Sequence, residues 1–312
     1  MKNNYICRNK SSNYKKMKNF KFMLIMIFAL VLNACSSNSD PAPAPTTTPV
    51  NTAEYFNYKI DGETISVTQW QSYRVENSIE VLGTGSNGKS IFINFNSAGN
   101  IGRANTYSAP GSGIPRRETQ ANYTNQSFTF NLVAVDDVNK LVKGTFSGKV
   151  YENGYDLTSP FVLVEGDFQV KYTQVAPAVA GLGVYAKIAG DNWTSSKGDS
   201  TGGILVNPDL TLHYYNGGVY RIGITINPGT LTTAPYPYTP TSAINKVVLA
   251  KYNTTTKSFD DYNCTGSFNV TGKVVSGQKT IITGIFSFTA TDPATSTPIT
   301  VSNGTFKSQY SN

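Results

Sequence analysis

Four sets of residues in this chain have types and spacings that could do chemistry. Gly83-Thr84-Gly85-Ser86-Asn87-Gly88-Lys89-Ser90 matches the phosphate-loop pattern G-x-x-x-x-G-K-[S/T], and its first six residues also match G-x-G-x-x-G. Both patterns hold phosphate only when a helix follows, because its first N–H groups and its dipole meet the anion. Here Ile91-Phe92-Ile93-Asn94-Phe95-Asn96 alternates with period two, which predicts a strand and makes the glycines a hairpin loop. Gly198-Asp199-Ser200-Thr201-Gly202 matches G-x-S-x-G, and Asp209 and His213 follow in the order of a hydrolase triad. That elbow needs a strand turning into a helix, and no helical pattern follows it. Asp136-Asp137 and Asp260-Asp261 offer carboxylates for glycoside hydrolysis, but adjacent acids in predicted turns point apart. Cys264 reads as a small buried hydrophobe in a strand. One His and three Cys leave neither metal-ligand spacing nor a disulfide framework. The sequence thus predicts a non-enzyme with no catalytic residue, no metal and no cofactor.

Charge removes another class of function. Seven of the 26 Lys and Arg precede Cys35 and all 19 Asp and Glu follow it, so the chain beyond the first 34 residues is balanced at 19 against 19. Phosphate binding needs a clustered cationic excess, so no nucleic-acid partner is expected. The lysines are followed by an apolar run of 11 residues, Phe22 to Leu32, too short to span a bilayer as a helix. A basic region, a short apolar core and a small residue before the cut mark a secretory signal, and MKNFKFMLIMIFALVLNAC alone is a complete one, which places the start at Met17. With Leu32-Asn33-Ala34-Cys35 at its end, this segment resembles a bacterial lipoprotein signal, Asn33 being a mild departure. The resemblance implies removal of residues 1–34, acylation of Cys35, and a membrane partner through the lipid anchor. Residues 35–54 are then the lipidated Cys and a Pro-, Ser- and Thr-rich tether. No Asp follows Cys35, which favours the outer membrane and leaves open whether the chain faces the periplasm or the cell surface.

From Tyr55 onward, short alternating runs rich in Val, Ile, Phe, Tyr and Thr are bounded by Gly, Asn and Pro. The expected fold is all-β, as two tandem antiparallel β-sandwich or barrel-like domains. Lys59-Ile-Asp-Gly62 recurs as Lys187-Ile-Ala-Gly190, and Gly144-Thr-Phe146-Ser147 as Gly284-Ile-Phe286-Ser287. Glu165-Gly166-Asp-Phe168 with Tyr172 recurs as Asn303-Gly304-Thr-Phe306 with Tyr310. These matches set copies at 55–174 and 183–312, joined by a linker at 175–182. The KI-x-G opening and the G-x-F-S and [N/E]-G-x-F closing strands resemble a recurrent β-rich domain of unknown function in Bacteroidota lipoproteins. Asp199-Ser200-Thr201 resembles a short O-glycosylation sequon, at Ser200 or Thr201, of the same bacteria.

One hairpin can be read in register. A three-residue Asn216-Gly217-Gly218 loop pairs Leu212 with Ile222 and Tyr214 with Tyr220, and puts His213 opposite Arg221 on the wet face. Aromatic residues make up 12% of the chain, enough that some are expected beyond the core. Trp193 matches Ile65 of the other copy and is assigned to the core, whereas Trp70 falls on the parity opposite Ile65 and Val67 unless a bulge intervenes. Two long loops, Gly99 to Asn122 and Gly229 to Ser242, carry Arg116-Arg117 and Pro235-Tyr236-Pro237-Tyr238. Trp70, Arg116, Arg117, Tyr236 and Tyr238 are therefore the candidate ligand residues. The function these features favour is noncatalytic binding of a polysaccharide or an envelope protein. A structural or envelope-assembly lipoprotein and a carboxylate-based glycoside hydrolase are the alternatives.

Overall fold

Both copies open on a two-residue turn in which each central residue has a left-handed backbone. Asp61 and Gly62 have φ of 50° and 81°, and Ala189 and Gly190 have 53° and 94°. The flanking pairs, Ile60 with Glu63 and Ile188 with Asp191, close a hairpin whose twist suits such turns. That geometry is the physical content of KI-x-G. The computed structural model describes residues 52–108, 116–195, 204–206 and 209–311. Cys35, the tether up to residue 51, and Ser200 lie outside the described residues.

The first copy contains β1 (Tyr55–Ile60), β2 (Glu63–Ile65), β3 (Val67–Val75), β4 (Ser78–Gly85), β5 (Ser90–Asn96) and β6 (Ile101–Tyr107). It continues with β7 (Arg117–Glu118), β8 (Phe128–Asp136), β9 (Leu141–Tyr151), β10 (Phe161–Lys171) and β11 (Thr173–Val175). The second contains β12 (Gly183–Ile188), β13 (Asp191–Thr194), β14 (Ile204–Val206), β15 (Asp209–Tyr215), β16 (Tyr220–Ile226) and β17 (Pro235–Tyr238). It ends with β18 (Lys246–Asn253), β19 (Ser258–Asp261), β20 (Asn263–Ser276), β21 (Lys279–Thr291) and β22 (Pro298–Ser311). No α-helix occurs among the described residues, and the fold is all-β.

One layer is the same in both copies. Strands β8-β9-β10-β1-β2 lie side by side in the first, and β20-β21-β22-β12-β13 in the second. Register matches too. Gly144 pairs with Phe168 and Phe146 with Gly166, as Gly284 pairs with Phe306 and Phe286 with Gly304. Each glycine leaves room for the ring across from it: a Cβ on Gly304 would lie 2.3 Å from the Phe286 ring, and one on Gly284 would lie 2.4 Å from that of Phe306. The four phenylalanines are buried in the two cores, each worth about 1.5–3 kcal/mol relative to exposure. The repeated G-x-F strands are thus reciprocal Gly–Phe pairs in equivalent places.

The opposing layers differ. In the first copy β7 pairs with both β6 and β9, and β11, which continues β10 past Tyr172, pairs in parallel with β3. These two links make one 11-stranded sheet that closes around its core like a barrel. In the second copy, β14-β15-β16-β18-β19 is a separate five-stranded sheet facing the six-stranded one, a sandwich.

Among the described residues no strand pair crosses from one copy to the other, yet Thr52–Asn312 form one compact unit. A polar seam holds the copies together. Buried Gln120 donates to Tyr252 Oη at 2.9 Å, buried Asn96 donates to the Ser195 carbonyl at 3.2 Å, and Asn125 N–H donates to the Gly217 carbonyl at 2.9 Å. The same seam corrects the expected hairpin register. Leu212 pairs with Ile224, Tyr214 with Ile222 and Tyr215 with Arg221, two residues away from the three-residue-loop reading. The faces are unchanged because the slip is even. Its longer loop is docked on the first copy, where Gly217, at φ 76°, sits so close to the Ile101 carbonyl that a Cβ would lie 2.0 Å from it.

Candidate functional site

The phosphate-loop match resolves as a hairpin: β4 ends at Gly85, Gly85 N–H donates to the Lys89 carbonyl, and β5 begins at Ser90. His213 keeps the outer face expected of it but not the expected partner Arg221. It is half-buried opposite Gly223, and burial, aided by the Arg221 charge, pushes its imidazole down to about 4 despite Asp261 nearby. The paired acids are each tied locally. Asp136 accepts from Asn139 and Asp137 from Tyr172 and Arg74, and those hydrogen bonds lower both carboxyls. Asp260 and Asp261 lie in β19 rather than in a turn, and alternation sends one to Asn253 and the other to Arg221. Cys264 is buried, and burial pushes its thiol up to about 11.

The five candidate ligand residues do not converge. A bulge between Val67 and Gln69 rotates Trp70 inward, where its half-buried ring packs on the first core and its indole N–H donates to Glu54 Oε2 at 3.0 Å. Trp70 is therefore not an outward platform. Arg116 stands over the Tyr107 ring at 5.4 Å and reaches Glu118 at 3.4 Å. Arg117 lies in β7, not in a loop, and is tied to Glu152 at 3.1 Å. Tyr236 and Tyr238 also lie in a strand, since β17 pairs with β20 as an edge that tolerates Pro235 and Pro237. Tyr238 is 3% exposed in the second core, which excludes it as a stacking group. Tyr236 is half-buried and stacks on Phe268 at 5.0 Å, its hydroxyl bonded to Thr232. Trp193 is buried, as its alignment with Ile65 implied.

Two concavities were not anticipated from the sequence. On the outer face of the first copy's shared layer, Asn57, Thr129, Thr145, Ser147 and Asp167 line a depression of about 430 Å³, with the Lys59–Glu165 ion pair (2.9 Å) beside it. On the second, Ser267, Ile285, Ser287, Asn303 and Thr305 line one of about 560 Å³, with Pro235 of β17 at its edge. These are the same place twice. Thr129 pairs with Ser147 as Ser267 pairs with Ser287, and Asp167 pairs with Thr145 as Thr305 pairs with Ile285. Each depression lies over a reciprocal Gly–Phe pair, where the outward residues that alternate with Gly and Phe are short except for Glu165 in the first copy and Ile285 in the second. Hydroxyls and amides donate and accept hydrogen bonds in both, with charged groups only in the first, where Lys59 and Glu165 pair and Asp167 stands beside them, and such a lining suits a polyhydroxylated ligand. The sequence signal was present in the small residues flanking each motif Phe, Thr145 and Ser147 in one copy and Ser287 in the other.

A scan against protein-family models, a search of curated proteins and a search of solved structures return no match to this chain.

Proposed function

We propose that this chain is a noncatalytic binding module, lipidated at Cys35 and held at the outer membrane, that binds a polysaccharide through the two equivalent outer-face grooves. The observation that carries this reading is the recurrence of a hydroxyl- and amide-lined depression at the same register position in both copies. Two weak sites on one compact unit raise the avidity for a repeating polymer without new contacts. A glycan array with residues 52–312, the compact unit, tests it. Ser147→Arg and Ser287→Arg place long side chains in exposed grooves and leave the cores untouched. Each is expected to weaken binding of the selected glycan about tenfold, and the pair to abolish it. Unchanged binding by the double variant overturns the groove reading. Absence of any glycan signal, with co-purification of an envelope protein instead, favours the structural alternative.

A further inference from the structure

We propose that the cleft between the two copies is a separate site for a small hydroxy- or amino-carboxylate. The cleft encloses about 410 Å³ and has three chemically different walls. Glu80 of β4 and Asn94 of β5, directly paired in the first copy, supply acceptors. Lys279, at the start of β21 in the second copy, supplies a cation. Pro177, Val179 and Leu182, from the segment joining the copies, supply an aliphatic surface.

Asn94 gives this arrangement its direction. The residue is 1% exposed, and its amide nitrogen donates to Ser78 Oγ at 3.2 Å and Glu80 Oε1 at 3.5 Å. Its carbonyl oxygen is buried with no hydrogen-bond partner. A buried acceptor left unmet is destabilising, and a ligand hydroxyl or ammonium that reaches it removes that penalty. Glu80 and Lys279 form no salt bridge with each other or with other described residues, so both charges are available to a ligand. The aliphatic wall is preformed. Gly181 N–H donates to the Glu76 carboxylate at 2.7 Å, and Lys307 Nζ donates to the Ala180 carbonyl at 2.6 Å, which pins the segment on both sides. A ligand satisfying all three walls carries a donor for Asn94 and Glu80, a carboxylate for Lys279 and a hydrocarbon face for Pro177, Val179 and Leu182. Clefts between packed units are where such ligands are commonly held. The shared chemistry comes from two sources, a uronic acid or an aliphatic amino acid.

Titration calorimetry of the full chain with D-glucuronic acid, L-leucine and D-glucose distinguishes them. One of the two carboxylates is expected to bind with a Kd of about 10 μM to 1 mM, and D-glucose, which lacks the anion, to give no heat. Lys279→Ala, a change at an exposed position, is expected to weaken that binding about tenfold. Asn94→Leu is expected to weaken it at least as much without lowering the melting temperature, since it removes the unmet acceptor; a purely structural Asn94 would show the reverse. Ser147→Arg with Ser287→Arg is expected to leave this binding intact, so failure of the groove reading and of this one are separable. The proposal is overturned if neither carboxylate binds at about 10 mM, if D-glucose binds as well as D-glucuronic acid, or if Lys279→Ala leaves the affinity unchanged.

Discussion

The two copies share one layer and differ in the other, and the difference separates what the repeat must keep from what it is free to vary. Kept are the left-handed turn, the reciprocal Gly–Phe pairs and the short outward residues above them. Varied is the closure. The first copy seals its sheet through β7 and β11, whereas in the second copy β17 joins the shared layer at β20 and the remaining strands form their own sheet. The grooves diverge in step. The first is charged, with Lys59, Glu165 and Asp167, and the second is neutral with an apolar edge, Ile285 being 49% exposed. A one-residue bulge accounts for part of this. Between Phe286 and Phe288 the pairing with β22 shifts, and Asn303, with φ 51°, stands where the first copy has regularly paired Glu165.

Substitution at the paired glycines breaks the comparison most severely. The three atoms nearest a Cβ on Gly304 would all belong to the Phe286 ring, at 2.3–2.6 Å. A Cβ on Gly166 would meet the Asn57 carbonyl at 2.3 Å as well as the Phe146 ring at 2.6 Å. Gly304→Val and Gly166→Val are each expected to cost about 3 kcal/mol or more in urea unfolding. Their rescue differs. Phe286→Ala in the Gly304→Val background makes room and is expected to recover part of the loss, while Phe146→Ala does not rescue Gly166→Val because the β1 backbone stays in place. Equal rescue at both sites would show that the ring, not the neighbouring strand, sets the constraint in each copy.

Much of the shared layer was legible in the sequence because its signals are local. Two-residue turns need particular residues, and Gly opposite Phe recurs at fixed spacing. The closure was not legible. β7 is two residues long, and β17 is written Pro-Tyr-Pro-Tyr, a loop composition that only an edge position turns into a strand. Parity failed at Trp70 for a related reason, since the bulge at Val67 to Gln69 leaves no mark in the spacing of apolar residues. The hairpin register at Leu212 and Tyr214 depended on a loop that docks on the other copy, a contact remote in sequence. The grooves escaped because short polar residues on an outer face look like any solvated strand.

A smaller effect distinguishes the copies by pH. His213 is the chain's sole histidine and belongs to the second copy, on the β15–β16 hairpin. Its folded pKa is depressed to about 4, chiefly by burial, against an unfolded value near 6.5. The unfolded chain then binds the proton more readily. The stabilisation is therefore fully present above about pH 6.5 and is lost as the pH falls toward about 4. Allowing for partial exposure, about 1–2 kcal/mol should disappear across this window. Urea midpoints measured between those limits should fall for the wild type, and His213→Gln should flatten that slope. An unchanged slope in the variant would assign the acid sensitivity to carboxylates such as Asp137, whose lowered pKa places its loss further into acid.

The smallest expected effect lies in the turn that opens each copy. Asp61 and Ala189 occupy the same position with the same left-handed backbone, but only Asp61 has a side chain to exploit it, accepting from Leu163 N–H at 2.8 Å. Left-handed φ costs alanine roughly 1 kcal/mol, whereas Asn and Asp tolerate it through local hydrogen bonds. Ala189→Asn is therefore expected to stabilise the protein by about 0.5–1 kcal/mol, and Asp61→Ala to destabilise it by about 1 kcal/mol or slightly more because the Leu163 contact is also lost. Thermal unfolding of both variants measures the pair. The turn contribution is local and the two positions are remote from each other, so their combination should be additive to within about 0.5 kcal/mol. A stabilising Ala189→Asn would show that the second copy has kept the turn while losing its preferred residue, and a neutral one would mean that strand pairing with β22 alone holds the second turn in place.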